Sequence, residues 1–304
     1  MRLEFEQAYD LSIAGLTFHV SCPALPICLE SAEHYRNFTT TGRLHDHKDT
    51  VTVQLLPDDM PSTNGFANKF NAAETWSLYG DANEKFIVYR GSAADPSPLW
   101  LAHMDMLNRH VDVYCSSRFI NGQKPGRQVI ISPCSYPLDQ ILLMYFLGSN
   151  GFLIHAAGVI HQGKGYVFAG PSGAGKSTIA LLLKKSEDFT LLSDDRIVIS
   201  KSGDGFSISG TPWPGEAGIA SNFRAPLHKI FFLEKGDRNE INAAGAHESL
   251  KKIMPVVSLP WYDEKMVSGY LDACGAVLEQ TRAYILSFTP DPGSVEEIKK
   301  IVSD

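Results

Sequence analysis

Two different patterns of hydrophobic positions divide the chain. From the N-terminus to about residue 130, short stretches either alternate apolar and polar residues or are rich in β-branched ones, which is typical of strands separated by turns. Strands are predicted at 16–20, 50–55, 86–89, 111–114 and 129–131. Gly80-Asp81-Ala82-Asn83, between TWSLY and KFIVYR, predicts a hairpin connection, and RFINGQKPGRQ predicts an exposed loop that ends this region.

The second pattern begins at Pro137. There LDQILLMYFLGSNG places apolar residues on most helical faces and ends in a Gly-rich cluster, which predicts a buried helix. FLIHAAGVIH and YVFAG then predict two strands joined by a tight turn at Gly163-Lys164-Gly165. The change of pattern predicts a strand-rich domain over 1–131 and a second domain over 132–304.

Composition and charge exclude several classes of protein. The 304 residues are 44% apolar and 20% charged, as in globular proteins, and 27 basic against 34 acidic side chains give a net charge of −7. Without any run of Lys or Arg, a dedicated nucleic-acid binder is not expected. The longest apolar run, from Ile141 to Leu147, is far shorter than the roughly 20 residues that span a bilayer, so no membrane helix is expected.

The cysteines and the N-terminus indicate a cytoplasmic chain. Glu4, Glu6 and Asp10 interrupt the region where an export signal would be continuously apolar. The five cysteines are scattered and form no CxxC pair, so we interpret them as reduced thiols. His45-Asp46-His47 is interpreted as a solvated loop, and no metal site is predicted there.

The most informative residues follow the YVFAG strand. Gly170-Pro171-Ser172-Gly173-Ala174-Gly175-Lys176-Ser177 matches GxxxxGK[ST] in full and runs into a helical pattern that begins at Thr178. Such a loop wraps its backbone N–H groups around phosphate, with the Lys on the β- and γ-phosphates and the Ser hydroxyl on Mg²⁺. The motif therefore predicts a site for ATP and Mg²⁺ formed by residues 170–178.

A second strand, FTLLSDDRIVIS, reaches Ser193-Asp194-Asp195-Arg196 shortly after the loop helix. We expect this strand to run parallel to YVFAG, so that both end at the same edge of the sheet. One carboxylate can then hold Mg²⁺ and the other can accept a proton from an attacking hydroxyl. The alternative is an Asp-Asp-Arg turn that caps structure or forms a surface ion pair.

These segments resemble a known family. FLIHAAGVIHQGKGYVFAGPSGAGKSTIALLL, LLSDDRIVI and GTPWPGE, roughly within 135–235, are similar to the catalytic domain of HPr kinase/phosphorylase and, more distantly, to the nucleotide core of ATP-dependent phosphoenolpyruvate carboxykinase. The resemblance implies that His155 lies near the carboxylates and assists proton transfer. It also matches Asp194 and Asp195 to the family's acidic pair and Glu216 to a metal-associated glutamate. In place of the family's Arg- and Gly-containing signature stands GTPWPGEAGIASNFRAPLHKIFFLE, so the chain looks closer to the HPr kinase-related proteins of unassigned substrate.

The sequence thus predicts an α/β fold, with a P-loop core of the HPr kinase type and a smaller, strand-rich α+β N-terminal domain that docks the acceptor. The predicted activity is an ATP- and Mg²⁺-dependent phosphotransferase, with Asp194, Asp195, His155 and Lys176 catalytic and with Ser177, both aspartates and Glu216 as metal ligands. Arg196 and Arg224 are candidate phosphate contacts, since a guanidinium fork suits phosphate. By resemblance the acceptor is a serine of a protein or peptide; a small-molecule alcohol and a nucleotide-responsive binding module with little turnover remain the alternatives. A homo-oligomer is compatible with this prediction, whereas nucleic-acid and membrane partners are not expected.

Overall fold

The computed structural model describes residues 2–30, 33–41, 49–72, 75–92, 94–124 and 127–303, except for the side chains of 122–124 and 127. The predicted loop at His45-Asp46-His47 lies outside these residues. The chain forms two compact units, Met1–Phe146 and Leu147–Asp304. In the described parts of the chain, no helix has both the length and the apolar composition that a membrane span requires.

In its described residues, the first unit contains two sheets and one α-helix. Their elements are β1 Leu3–Phe5, β2 Ala8–Ile13, β3 Leu16–Ser21, β4 Ile27–Leu29, β5 Thr39–Thr41, β6 Thr50–Leu56, β7 Asn68–Ala72, β8 Trp76–Gly80, β9 Glu84–Tyr89, β10 Trp100–Asp105, β11 His110–Cys115, a 3₁₀ turn Ser117–Phe119, β12 Ile120–Lys124, β13 Arg127–Ile131 and α1 Leu138–Leu147. One sheet has the order β1-β4-β13-β12 and the other the order β5-β2-β3-β6-β11-β10-β9-β8-β7.

The larger sheet shows why alternation predicts strands here. In β6, Val51, Val53 and Leu55 are fully buried, whereas the intervening residues are half-buried. Successive side chains of a strand point to opposite faces, so this sequence builds one apolar face and one polar face. The five strands predicted in this region are confirmed, and the predicted hairpin joins β8 to β9 in an antiparallel pair.

One prediction in this unit is wrong. The described residues of RFINGQKPGRQ include β12 and the start of β13, which form an antiparallel pair rather than a terminal loop. β13 also pairs with β4, and its Ile130 is completely buried. Pairing with β13, whose β-branched residues are buried, therefore outweighs the loop tendency of the glycines.

The division between the units lies at Phe146/Leu147, whereas the predicted boundary was 131/132. The reason is the predicted helix, which forms as α1 but packs within the first unit. Tyr35 donates a hydrogen bond to Asp139 at 2.7 Å, and the Phe146 ring contacts Phe18 and lies 5.4 Å from the guanidinium of Arg109.

The second unit is a mixed sheet covered by helices on both faces. Its elements are a 3₁₀ turn Gly148–Asn150, β14 Gly151–His161, β15 Lys164–Ala169, α2 Lys176–Lys185, β16 Thr190–Ser193, β17 Arg196–Ser202, β18 Gly205–Ser209, β19 Arg224–Lys235, β20 Glu240–Ala243, α3 Ala246–Ile253, a 3₁₀ turn Met254–Val256, α4 Glu264–Gln280, β21 Arg282–Phe288 and α5 Gly293–Val302. The strand order is β15-β14-β17-β18-β19-β21-β20, with β16 paired to β14 and an additional β15–β19 pairing.

Alternation along β14 and β15 places the core on both faces of this sheet. Ile154 and Val167 face α3 and α4, whereas Val159 and Phe168 face α2 and α5. The long apolar runs of these strands follow from this double burial. The predicted pair of strands is confirmed as β14–β15, but its turn is Gln162-Gly163, because Lys164 and Gly165 already pair with β14. The chain is a sheet-rich α/β protein, as expected.

Candidate functional site

The glycine-rich segment forms a loop between β15, which ends at Ala169, and α2, which begins at Lys176. Gly173 and Gly175 have φ values of +78° and +100°, in the left-handed region that favours glycine. A Cβ on Gly175 would also lie 2.6 Å from Cζ of Phe288. Two features of the loop therefore require glycine at position 175: its left-handed backbone angle and the Phe288 ring packed against it.

The Lys176 ammonium lies inside this loop. The residue is 6% exposed, and its Nζ donates hydrogen bonds to the carbonyls of Gly170 at 3.1 Å and Pro171 at 3.0 Å. Burial lowers the pKa of Lys176, and the nearby carboxylate of Asp195 acts in the opposite direction. The ammonium thus rests on backbone carbonyls at the start of the loop.

The two aspartates lie beside the loop because β14 pairs with β15 on one side and, on the other, with the two strands that flank the aspartates. Ala156 of β14 is opposite Ala169, and its N–H donates to the Asp195 carbonyl at 2.9 Å. β16 and β17 pair antiparallel to β14, so β16 has the predicted direction parallel to β15 but is separated from it by β14. The acidic pair occupies the break between β16 and β17.

Asp194 is completely buried and accepts four hydrogen bonds. Its Oδ2 accepts from the Ser177 hydroxyl at 3.0 Å and the Ala217 N–H at 2.8 Å. Its Oδ1 accepts from the N–H groups of Gly215 at 3.0 Å and Ile219 at 3.2 Å. One carboxylate therefore fastens the segment 215–219 to the N-terminus of α2, which satisfies the rule that buried charge must be hydrogen-bonded.

Asp195 has a different environment, since its side chain is 27% exposed. Its Oδ1 lies 2.5 Å from Nε2 of His155, and its Oδ2 lies 3.5 Å from Nε of Arg196. Burial raises the pKa of Asp195, whereas the hydrogen bond and charge of His155 lower it. Arg196 and Lys176 act in the same direction, and the net pKa lies below the ordinary value. Asp195 is thus an ionised, partly accessible carboxylate paired with an imidazole.

The predicted Glu216 lies on the segment that Asp194 fastens, and it is exposed. It lines a cavity of about 440 Å³ together with Ser177, Thr178, Leu181, Lys185 and Pro290. The cavity has an ordinary ligand-site volume and opens beside the first turn of α2.

The two predicted arginines lie in different places. Arg196 follows Asp195 directly and joins the site. Arg224 begins β19, is exposed, and donates to the Lys201 carbonyl at 3.5 Å. β19 runs parallel to the loop strand, with Leu227 opposite Gly165 and Phe232 opposite Ala169, so Arg224 lies beyond the end of this pairing that is away from the loop.

Three residues near the site had no signal in the sequence. Phe288 packs on Gly175, Pro290 lines the cavity, and Ser258 accepts a hydrogen bond from Arg196 at 3.3 Å. All three lie far along the chain from the residues they contact, and none belongs to a motif. Gly215 was inside GTPWPGE, but its close approach to Asp194, where a Cβ would lie 2.7 Å from Oδ2, is a tertiary feature.

The donor set suits a metal that arrives with a ligand rather than one held by protein alone. Among the residues described, no three His, Cys, Asp or Glu side chains are grouped to hold a metal ion. The side-chain oxygens near the loop include those of Ser177, Asp194 and Asp195, and Glu216 lines the cavity beside α2. Hard oxygen donors in small number, completed by phosphate and water, are what Mg²⁺ uses in nucleotide sites.

Part of the chain is similar to known proteins. The family model of SynChlorMet cassette protein ScmC matches residues 138–266, which is less than half of the chain. No curated protein matches the sequence. Among solved structures, the Hpr(Ser) kinase/phosphatase from Coxiella burnetii is similar at 13% identity and a TM-score of 0.29, over 50% of this chain and 99% of that one. Likeness at this level carries no argument about function, so the resemblance to HPr kinases rests on the motifs alone.

Proposed function

We propose that this protein is a phosphotransferase that moves the γ-phosphoryl group of ATP to a hydroxyl acceptor with the help of Mg²⁺. The observation that carries the proposal is the meeting of a GxxxxGKS loop with the His155–Asp195 pair at one break in the sheet. Binding of nucleotide alone would not require a partly exposed carboxylate beside an imidazole.

The loop and Lys176 would bind the phosphates. Loop N–H groups and the N-terminus of α2 favour anions, and the lysine would leave the carbonyls of Gly170 and Pro171 to contact the β- and γ-phosphates. Mg²⁺, when bound with the nucleotide, neutralises charge on the phosphates. Ser177 and one or more of Asp194, Asp195 and Glu216 would hold it.

Asp195 is the proposed base, since Asp194 is enclosed and fully hydrogen-bonded. The acceptor O–H proton moves to Asp195 Oδ2 while the acceptor oxygen forms a bond to the γ-phosphorus. The bond from that phosphorus to the β,γ-bridging oxygen breaks, and its electron pair leaves on ADP. His155 holds Oδ1, so the carboxylate stays ionised and oriented until the proton arrives.

The acceptor is proposed from resemblance as a serine of a protein or peptide, and a small alcohol would satisfy the same chemistry. For the N-terminal domain, predicted over 1–131, we propose acceptor docking.

The second candidate is a nucleotide-responsive binding module. One observation favours it: Lys176 and Ser177 both make internal hydrogen bonds that nucleotide and Mg²⁺ would have to replace. Such a replacement would also remove the hydrogen bond between Ser177 and Asp194, the carboxylate that accepts from the segment 215–219.

Radiolabelled ATP with Mg²⁺ and a lysate of the host separates the two candidates. We expect a specific labelled acceptor with the unaltered protein and none with Asp195→Asn, which keeps the shape and removes the charge. Asp204→Asn, an exposed aspartate in the β17–β18 turn, is the matched control. MgATP binding without any labelled acceptor would favour the binding module.

The nucleotide assignment has its own test. Saturating MgATP should stabilise the protein by RT ln(1 + [L]/Kd), about 2.7 kcal/mol at a hundredfold excess over Kd. Lys176→Ala should weaken this stabilisation, whereas Lys184→Ala, exposed at the end of the same helix, should not. An unchanged melting temperature with saturating MgATP would contradict the assignment of the loop.

A further inference from the structure

The carboxylate of Asp195 is held at both oxygens, by two different groups. His155 holds Oδ1 at 2.5 Å, whereas the Arg196 guanidinium lies 3.5 Å from Oδ2. The second distance describes an ion pair rather than a good hydrogen bond. Oδ2 therefore keeps lone pairs free for an incoming hydroxyl while a fixed positive charge lies beside it.

The guanidinium does not hold this place unaided. Its Nη1 donates to the hydroxyl of Ser258 at 3.3 Å. The Arg196 backbone is fixed as well, since its N–H donates to the Ser193 hydroxyl at 3.2 Å and its carbonyl accepts from Thr211 at 2.7 Å. A flexible side chain is thus anchored at its base and at its tip, and Ser258 is the anchor at the tip.

Ser258 is in turn set by the strand that carries His155. The Ser258 N–H donates to the carbonyl of Leu153 at 2.9 Å, and Val257 forms an antiparallel bridge with Ile154. His155 and the residues that fix Ser258 are therefore neighbours on β14, so one short part of this strand positions both groups that hold the Asp195 carboxylate. Such a frame suits a base whose oxygen must meet an acceptor within a few tenths of an ångström.

We propose that Ser258 is a positioning residue: it holds the Arg196 guanidinium against Asp195 Oδ2, so that this oxygen is aimed at the acceptor hydroxyl. This inference rests on the proposed phosphotransfer function. It assigns Arg196 to orienting the base, in place of the phosphate contact predicted from the sequence.

The two assignments of Arg196 differ in what they change. A phosphate contact would raise the KM for ATP when it is removed, whereas a positioning contact lowers kcat and leaves that KM unchanged. Because Ser258 acts through Arg196, the effects of changing both should not add.

The test uses the full chain and ADP formation from MgATP, with water as the acceptor. Ser258→Ala should lower kcat about three- to tenfold with the KM for ATP within twofold, and Ser258→Thr, which keeps a hydroxyl, should restore most of the rate. Arg196→Lys should lower kcat at least as far, and the double variant Arg196→Lys/Ser258→Ala no further. Ser186→Ala, a half-buried serine with one hydrogen bond at the far end of α2, should leave the rate unchanged.

The outcomes separate this inference from the proposed function. Turnover by the unaltered protein with an unchanged kcat in Ser258→Ala would overturn the positioning role alone. A raised KM for ATP in Arg196→Lys would return Arg196 to the phosphates and have the same consequence. No turnover by the unaltered protein, with water or with the lysate, would overturn the phosphotransfer function and this inference together.

Discussion

Asparagine at position 194 tests the difference between the two adjacent aspartates. Asp194 is completely buried and serves four donors, two at each oxygen. The amide of Asn has one acceptor oxygen and one NH₂ donor in the same shape. Asp194→Asn must therefore turn a donor towards two of the four groups.

The expected loss of stability in Asp194→Asn is set by the amide orientation that leaves fewer groups without a partner. With NH₂ in place of Oδ2, the Ser177 hydroxyl can rotate to accept, and only the part-buried N–H of Ala217 loses its partner. In the other orientation, Gly215 and Ile219 both lose theirs. An N–H left without a partner costs about 1–3 kcal/mol when it is buried, and the lower end applies to a part-buried group. At roughly 2–4 °C per kcal/mol for a unit of this size, the melting temperature should fall by about 2–12 °C.

Thermal and urea unfolding without nucleotide measure this loss. Asp195→Asn is the matched comparison, because that side chain is 27% exposed and an amide oxygen can still accept from His155. We expect its stability to lie within about 1 kcal/mol of the unaltered protein, with the loss falling on phosphotransfer instead. Equal stabilities of the unaltered protein and Asp194→Asn, or equal losses in both variants, would refute the division of roles argued from the hydrogen bonds.

Three further predictions concern the loop, the acid limb of stability and the thiols. Gly175→Ala should abolish nucleotide-dependent stabilisation and lower the melting temperature, because its Cβ meets Phe288 and its φ is +100°; normal MgATP binding would contradict this. Hydrogen bonds from neighbouring hydroxyl and backbone groups lower the pKa of Asp291 below 3.8, so its contribution to stability is complete above that pH and is lost as the pH falls through the lowered pKa. In Asp291→Asn the free energy of unfolding should fall less steeply as the pH is lowered, and an unchanged pH dependence would contradict this prediction. Burial raises the pKa of Cys115 and of Cys274 to about 12, so a disulfide reagent should label neither in the native protein at pH 8, whereas rapid labelling of either would argue against the packing.

Local chemistry made much of the second unit predictable. The GxxxxGKS loop lies between a strand and a helix as expected, because glycines at left-handed angles and a helix-forming run act over a few residues. The acidic pair lies at the same edge of the sheet as the loop, because β16 runs in the predicted direction, parallel to β15. Alternation along β6 and the apolar runs of β14 and β15 predicted their strands, since burial on one face or on both leaves a periodic record in the sequence.

The tertiary structure decided what local pattern cannot record. Two adjacent aspartates are equivalent in the sequence, yet one is enclosed by backbone N–H groups and the other faces His155, because successive residues at the end of β16 point in different directions. Arg224 is a candidate for the site because of its charge, but the register of β19 places it away from the loop. Ser258 and Phe288 reach the site through pairings between distant segments. Register and burial depend on partners far along the chain. The sequence therefore predicted the loop, the acidic pair and His155, whereas the different roles of the two aspartates follow only from the tertiary structure.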